Sequence, residues 1–338
     1  MVDVPAKSRF PAPRLTIFNH KGGVGKTTLT VNIAAAIAET GRKVLLVDSD
    51  PQCNLTAQLV EESVVDDLLD HSDDVGGQTL WSAVKPIVEA RGDVLPIRPI
   101  ALANGQFLIP GDVKVAEFEQ ELDSLWSECF ERKTKGFRGT TALSTLVNQV
   151  AEDTNADVVM YDSGPNIGPL NRVILLDSDF FVVPAACDLF SLRAMETLGI
   201  TLKRWVSLWQ TIIQLAPRGT ALLPGQPKPL GYLPQRFRIY GGEPSSGYSS
   251  FLPRMDKAFN SDIIRLLSDV IPGIEVRSDW FKLGELKDFG ALASASQTQG
   301  LPISKVNAGT PAQRSAAHDA FKTVAERILQ RMALSGKQ

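Results

Sequence analysis

Residues 19–28 read Asn19-His20-Lys21-Gly22-Gly23-Val24-Gly25-Lys26-Thr27-Thr28, a glycine-rich turn between two apolar segments. The segment before it, Leu15–Asn19, predicts a short buried strand. The segment after it, Lys26–Thr40, carries apolar residues at helical spacing, and a second apolar strand is predicted at Lys43–Val47. Strand, turn, helix and strand in this order predict a βαβ unit, and such units imply a parallel sheet that is covered on both faces.

Further apolar strands are predicted at Asp157–Tyr161 and Asp179–Pro184, with amphipathic helices before and after them. We find no internal repeat and no linker between independent domains. The sequence therefore predicts one α/β domain over residues 15–334, with a doubly wound, mostly parallel sheet and helices on both faces. Residues 1–14 are predicted to form a flexible arm, and residues 234–253, rich in Gly and Ser, a long loop inserted in the domain.

The glycine-rich turn has the features of a phosphate-binding loop. Its glycines allow the backbone to curl so that N–H groups face phosphate oxygens, and the N-terminus of the following helix adds about half a positive charge. Lys26 is predicted to reach the β and γ phosphates of ATP, and the Thr27 hydroxyl to bind Mg²⁺, which prefers oxygen ligands. The residues expected to contact the nucleotide are Gly22, Gly23, Val24, Gly25, Lys26, Thr27 and Thr28.

Acidic residues follow two of the predicted strands. Asp48-Ser49-Asp50-Pro51-Gln52 comes after the second strand, and Asp162 comes after the third. Ligands of open α/β sheets bind outside the carboxyl ends of the strands, so these acids are expected beside the phosphate loop. There Asp48 and Asp50 would handle a metal ion and a water molecule, and Asp162 would reach Mg²⁺ through a water. The chemistry predicted is in-line attack of water on the γ-phosphate.

The loop departs from the common P-loop pattern in one respect, because His20 occupies the place of its first glycine. The departure matches a variant with an additional lysine, KGGxGK[ST], and in this the chain resembles the ParA/MinD family of deviant-Walker ATPases. The pattern D-x-D-P-Q, present here at Asp48–Gln52, is also found in that family. The similarity covers residues 15–198 well and fades beyond Leu202.

The resemblance implies a role for each charged residue of the site. Asp48 would lie near the Mg²⁺ shell, and Asp50 would position the attacking water. Lys21 is the signature lysine of the family and would cross a dimer interface to the partner's nucleotide, so that a homodimer sandwiches two ATP molecules. The implied catalytic residues are therefore Lys21, Lys26 and Asp50, and the implied metal ligands are Thr27, Asp48 and Asp162.

Two positions differ from the family's pattern. The family usually has glycine where this chain has Cys53, and proline where it has Gly164. The first exchange is expected to have little effect. The second should loosen the loop after Asp162 and alter how hydrolysis is coupled to a change of shape.

Composition excludes several other functions. No run of 18 apolar residues is present, so no transmembrane helix is predicted. The three cysteines, Cys53, Cys129 and Cys187, form no CxxC pair, which argues against a structural disulfide, a zinc site and the cluster-carrying members of the family. A cytoplasmic location is expected, with association with the nucleoid if the chain binds DNA.

The surface that the ATP-bound dimer engages differs between branches of the family: DNA in ParA-like members, and membrane in MinD-like members. Residues 203–338 carry 18 Lys and Arg against 10 Asp and Glu, whereas residues 1–202 carry 17 against 28. A basic C-terminal part is expected where the partner is anionic, such as nucleic acid. Arg236 and Arg238, interleaved with aromatic residues, are candidate contacts to DNA or equally to a protein partner. Ser315–Met332 is amphipathic but is expected to pack on the domain rather than on a membrane.

The function predicted is a ParA-type switch ATPase in plasmid or chromosome partition or in cargo positioning. Its expected partners are a second copy of the chain, non-specific DNA and a ParB-type protein that stimulates a slow, Mg²⁺-dependent hydrolysis. The alternative is a MinD-like or regulatory ATPase whose dimer engages a membrane or a protein instead of DNA.

Overall fold

The structure, a computed structural model, describes residues 12–237, 239–240, 243–244, 246–274 and 281–335. The strands within these residues are β1 (Arg14–Ile17), β2 (Val44–Asp48), β3 (Ile100–Ala101), β4 (Gln106–Ile109), β5 (Val158–Asp162), β6 (Phe180–Ala186), β7 (Lys228–Phe237), β8 (Ile239–Tyr240), β9 (Glu243–Pro244) and β10 (Leu286–Lys287). The α-helices are α1 (Lys26–Ala38), α2 (Asn54–Leu59), α3 (Glu62–Asp70), α4 (Leu80–Val88), α5 (Val115–Phe130), α6 (Thr134–Thr140), α7 (Ala142–Thr154), α8 (Pro169–Asp177), α9 (Leu189–Leu215), α10 (Ser246–Ala258), α11 (Arg265–Ser268), α12 (Ala291–Gln299) and α13 (Pro311–Ser335).

Eight strands form one sheet in the order β10-β7-β6-β1-β5-β2-β4-β3. Neighbouring strands are parallel except at one edge, where β3 runs antiparallel to β4. The order puts β1 between β5 and β6 and brings the carboxyl ends of β1, β5 and β2 side by side, with Asp48 paired in register with Asp162. The predicted α/β fold with a mostly parallel sheet is confirmed.

Apolar layers cover both faces of the sheet. Successive side chains of a strand point to opposite faces, so in β2 Leu45 and Val47 lie in one layer and Val44 and Leu46 in the other. Helices α4, α5, α7, α8 and α9 contribute most of the remaining residues of the first layer, and α1 and α13 most of those of the second. The helices thus bury both faces of the sheet, and the residues that follow the strands lie at its carboxyl edge.

Helix α13 contains the segment that the sequence singles out as amphipathic. Six of its apolar residues are at most 7% exposed and belong to the core: Ala317, Phe321, Val324, Ala325, Ile328 and Met332. The helix therefore packs on the domain, as predicted. Among the described residues, no helix has both the length and the hydropathy needed to cross a membrane.

Two predicted boundaries are wrong. β1 begins at Arg14, and Ala12 and Arg14 are each 1% exposed, so the flexible arm cannot include residues 12–14. Arg14 is buried because its guanidinium pairs with Asp177 and donates to Ser144 Oγ at 2.9 Å. Residues 1–11 lie outside the described part of the chain.

The long loop predicted at 234–253 is also wrong over most of its length. β7 continues to Phe237, because it pairs with β6 as far as Gln235 and with Lys287 of β10 at Phe237. A short hairpin of β8 and β9 follows, and α10 begins at Ser246.

Candidate functional site

The glycine-rich turn connects β1 to α1 and curls where two glycines adopt a left-handed backbone. Gly23 has a φ of +72° and Gly25 a φ of +75°, a region that residues with side chains rarely adopt. α1 begins at Lys26, directly after Gly25. The N-terminus of a 13-residue helix therefore faces the turn, and its first N–H groups are oriented to receive an anion.

Asn19 and Lys26 shape the interior of the turn. The Asn19 amide donates to Pro184 O at the end of β6 (2.8 Å), and its Oδ1 accepts from the Lys21 N–H (2.9 Å). Lys26 reaches across the turn, and its Nζ donates to Asn19 O at 3.0 Å. Burial lowers the pKa of the Lys26 ammonium group, while the carboxylates of Asp162 and Asp50 act in the opposite direction. A largely desolvated cation thus lies inside the loop.

Thr27 and Asp162 join the start of α1 to the end of β5. Thr27 Oγ1 donates to Asp162 Oδ2 at 2.7 Å, and Thr30 Oγ1, one turn further along α1, donates to Oδ1 at 3.2 Å. Burial raises the pKa of Asp162 to about 6, although the hydrogen bonds from both threonines lower it. Asp162 thus ties the start of α1 to the end of β5 through two hydroxyl donors.

Asp48 ends β2 and is fully buried. Its Oδ2 accepts from the backbone N–H of Thr56 at 2.7 Å and from the Thr56 hydroxyl at 2.6 Å. Its Oδ1 has no hydrogen-bond partner among the described residues. Burial, followed by the nearby charge of Asp162, raises the pKa of Asp48 to about 7. Gly111 makes room for this carboxyl, since a Cβ there would lie 2.9 Å from Asp48 Cγ.

The donor set at this edge fits a magnesium ion that has few protein ligands. The part of the chain that the structure describes contains no group of three His, Cys, Asp or Glu side chains that could hold a metal. A divalent cation here would therefore combine the oxygens of Thr27, Asp48 and Asp162 with those of phosphate and water, as Mg²⁺ does. The buried Asp48 Oδ1, which accepts no hydrogen bond from the described residues, leaves one carboxylate oxygen available to such an ion.

Asp50 lies in the turn after β2 and is 7% exposed. Its Oδ1 accepts from the Gln52 N–H at 3.0 Å, which fixes the side chain in its own turn. A Cβ on Gly164 would lie only 3.3 Å from the same oxygen. The glycine that replaces the family's proline therefore leaves space beside the Asp50 carboxylate.

Lys21 does not point into the phosphate loop of its own chain. Its Nζ donates to Asp188 Oδ2 at 2.7 Å and to Ser191 Oγ at 3.4 Å, at the start of α9. The ammonium group also lies 5.9 Å from the centre of the Phe190 ring, whose side chain is 75% exposed. The lysine is therefore held at the surface beside an exposed aromatic residue.

The side chains of the two arginines predicted to contact DNA or a partner both lie outside the described part of the chain. Arg236 has its backbone in β7, but its side chain lies outside what the structure describes. Arg238 lies outside the described residues altogether. Both remain predictions.

Three residues of the site were missed by the sequence analysis: Asn19, Thr56 and Asp188. The sequence pattern could have identified Asp188, since an Asp directly before a helical segment is a favoured N-cap. In the structure its carboxylate does accept from the Ser191 N–H at 2.7 Å. Thr56 carries no such signal, because its contact with Asp48 depends on how α2 folds back over the end of β2.

A parallel sheet with a P-loop after β1 and carboxylates after β2 and β5 defines the class of P-loop nucleotide-binding proteins. The family model described as AAA domain matches residues 13–214, more than half of the chain. The chain therefore belongs to this family, as a ParA/MinD-type P-loop ATPase.

Several curated proteins match more than half of the chain in sequence. The sporulation initiation inhibitor protein Soj of Bacillus subtilis is 31% identical over 195 residues, which is 56% of this chain and 64% of Soj. The chromosome-partitioning ATPase Soj of Thermus thermophilus is 29% identical over 56% of this chain and 61% of its own length. The chain thus spans less than two thirds of the length of these relatives.

Solved structures share the fold over nearly the whole chain. A protein from Corynebacterium diphtheriae superposes with a TM-score of 0.72 at 23% identity, covering 94% of this chain and 98% of that one. The ATP complex of a McdA variant from Cyanothece superposes with a TM-score of 0.60 at 20% identity, covering 94% and 96%. The α/β architecture therefore extends beyond the segment that matches in sequence.

Proposed function

We propose that the chain is a ParA-type switch ATPase that hydrolyses ATP with Mg²⁺, dimerises in its ATP-bound form and then binds DNA without sequence preference. It would act in the partition of DNA or in the positioning of other cargo. The main observation behind the proposal is that Thr27, Asp48 and Asp162 lie together beside the glycine-rich turn: Thr27 donates to Asp162, and Asp48 pairs in register with Asp162. Relatives named as partition proteins, such as ParA of Caulobacter vibrioides (26% identical over 57% of this chain and 63% of that protein), support the biological setting.

The phosphate loop supplies the binding of ATP in this proposal. The N–H groups of Gly22 to Thr28 would surround the β and γ phosphates, as the left-handed glycines and the start of α1 favour. Lys26 would exchange its contact with Asn19 O for phosphate oxygens, which is favourable because a desolvated ammonium gains a charged acceptor.

The carboxyl edge of the sheet supplies the catalysis. Thr27, Asp48 and Asp162 would hold Mg²⁺, and a bound Mg²⁺ neutralises the charge of the phosphate oxygens. Asp50 would orient the attacking water, because its carboxylate is nearly buried and is already fixed by its own turn. The space at Gly164 lies on the same side of this carboxylate.

Lys21 would link hydrolysis to dimerisation. It is partly exposed at the surface of its own chain and would reach the nucleotide of a second copy, where it would stabilise negative charge on phosphate. Two chains would then enclose two ATP molecules. The basic C-terminal part, residues 203–338 with Arg236 and Arg238, would contact DNA in this dimer. A ParB-type protein would stimulate the turnover of ATP.

The enzymatic part of the proposal is tested by phosphate release from ATP and by nucleotide binding. We expect Lys26→Ala to abolish detectable binding of ATP, and Asp50→Ala to retain binding but to lose at least about 100-fold in turnover. Lys43→Ala is a matched control, since Lys43 Nζ also donates to a backbone carbonyl (Thr154 O, 3.1 Å) but lies at the opposite end of the sheet. Hydrolysis that is equal in all four proteins would contradict the assignment.

A further inference from the structure

Gln235, near the end of β7, contacts the middle of the phosphate loop. Its Nε2 donates to the carbonyl oxygen of Val24 at 2.9 Å, and its Oε1 lies 3.2 Å from the point where a Cβ on Gly25 would stand. The residue is 8% exposed and has no part in the site described so far. Its side-chain amide therefore lies against the peptide group that joins Val24 to Gly25.

The sheet order shows from which side this contact acts. The loop sits above β1, with β5 on one side and β6 followed by β7 on the other. On the β5 side, the loop is fixed through the Thr27 to Asp162 hydrogen bond. On the other side, it is fixed at Asn19 by Pro184 of β6 and at Val24 by Gln235 of β7. The Gln235 contact is thus the one that acts on the central peptide of the turn.

Peptide geometry gives this contact a consequence for phosphate binding. A peptide group is planar and trans, so its C=O and N–H point in opposite directions. A hydrogen bond that holds Val24 O toward β7 therefore turns the Gly25 N–H away from β7. Gly25 also has a φ of +75°, and its lack of a side chain is what lets the Gln235 amide approach so closely.

We propose that Gln235 is a positioning residue of the phosphate loop, which fixes the Val24–Gly25 peptide so that the Gly25 N–H is directed at a phosphate before the nucleotide arrives. The inference rests on the proposed binding of ATP. Gln235 would touch no phosphate itself and would act through the peptide alone. Holding the donor in place in advance reduces the ordering cost of binding and so raises affinity.

The test compares two ligands that share phosphates but differ in the base. Calorimetric titration with Mg·ATP and with Mg·tripolyphosphate is performed on wild type and on Gln235→Met, which keeps the volume of the side chain and removes its donor. We expect both affinities to fall by the same factor, about three- to tenfold, the worth of one hydrogen bond. The kcat at saturating ATP should stay at the wild-type value while KM rises, because Asp50 and Lys26 are untouched.

Gln210→Ala is the matched control for general stability. Gln210 also donates from Nε2 to a backbone carbonyl, Val270 O at 2.6 Å, but it lies on α9 away from the loop. A second variant with a smaller side chain, Gln235→Ala, is measured in case the Met variant does not fold. It should show the same loss of affinity for both ligands.

The outcomes separate the possible roles of Gln235. A loss for ATP but not for tripolyphosphate would place Gln235 at the base and overturn the proposal. Unchanged affinities, or an equal loss in Gln210→Ala, would overturn it as well, since the contact would then be packing only. If the wild-type protein binds neither ligand, the proposed ATP function itself is contradicted. This result is obtained before any variant is compared.

Discussion

The ammonium group of Lys21 lies 2.7 Å from Oδ2 of Asp188, the residue that caps the N-terminus of α9. The other oxygen of the same carboxylate accepts from the Ser191 N–H. In a single chain, the lysine proposed to act on a partner's nucleotide is therefore paired with its own helix cap. Dimerisation in the proposed form requires this pair to open.

Asp188→Asn is predicted to favour the dimer. Asparagine caps a helix as well as aspartate does, so α9 should keep its start while Lys21 loses its counter-charge. Because the pair is partly exposed, we expect dimerisation at a protein concentration lower by at most about fivefold. Sedimentation velocity with a non-hydrolysable ATP analogue measures this. Asp269→Asn, which removes the comparable surface partner of Lys203, should change nothing, and an equal effect in both variants would contradict the prediction.

The stability of the nucleotide-free protein is predicted to fall as the pH rises from about 4 to about 7. Burial, followed by the charge of Asp162, raises the pKa of Asp48 to about 7, above its usual 3.8. The folded state therefore binds the proton more tightly than the unfolded state. The stabilisation is complete below the unfolded pKa and is lost as the pH passes through the folded value.

Asp48→Asn should flatten this dependence. Asparagine keeps an oxygen for the two Thr56 donors and removes the titrating group. The measurement is the midpoint of thermal unfolding at about pH 5 and about pH 7.5 with a chelator, where the wild type should lose more than the variant. Addition of Mg·ATP should reduce the loss in the wild type. Identical pH dependence of the two proteins would show that Asp48 ionises normally.

Gly164→Ala is predicted to slow hydrolysis without weakening the binding of ATP. The new Cβ would lie 3.3 Å from Asp50 Oδ1, so the carboxylate proposed to orient water must shift by a few tenths of an ångström. We expect kcat to fall about tenfold, which corresponds to about 1.4 kcal/mol, with an unchanged ATP dissociation constant. Gly92→Ala, where the nearest atom is 3.7 Å from the added Cβ, is the control. A matching loss of binding affinity in Gly164→Ala would mean that the loop itself had been displaced.

Asp177→Asn is predicted to destabilise the fold. Arg14 and Asp177 form a buried ion pair, each residue being 1% exposed. Tyr161 Oη also donates to the Asp177 carboxylate at 2.5 Å. Removing the Asp177 charge takes the ion-pair partner from a buried guanidinium, which costs about 3–5 kcal/mol. Asp93→Asn, at the pair with Arg138 in which both side chains are exposed, should cost at most about 1 kcal/mol. Urea unfolding distinguishes the two, and equal midpoints would contradict the account of Arg14.

The local pattern of apolar residues was sufficient to predict the central strands of the sheet and the helix after the glycine-rich turn. The apolar segments of β1, β2 and β5 and the periodicity of α1 identify a βαβ arrangement, and parallel strands bring their carboxyl ends to one edge. The meeting of Thr27, Asp48 and Asp162 follows from this rule without any knowledge of side-chain contacts.

Elements that depend on distant packing could not be predicted. α6 contains Gly136 and Gly139, which disfavour a helix locally but let it approach α5 closely, since a Cβ on Gly139 would lie 2.4 Å from Leu125 Cδ1. The pairing of Lys21 with Asp188 joins residues that are 167 positions apart. Neither feature leaves a periodic or local signal in the sequence.

The central claim is most directly tested by the binding of wild type and Asp50→Ala to random duplex DNA on a biosensor, with ATP, with ADP and without nucleotide. The account predicts binding only with ATP, a longer-lived complex for Asp50→Ala, and loss of binding at high salt because phosphate contacts release counterions. Binding that is absent in every nucleotide state, or equal in all of them, would contradict the DNA switch while leaving the chain's place among the P-loop ATPases intact.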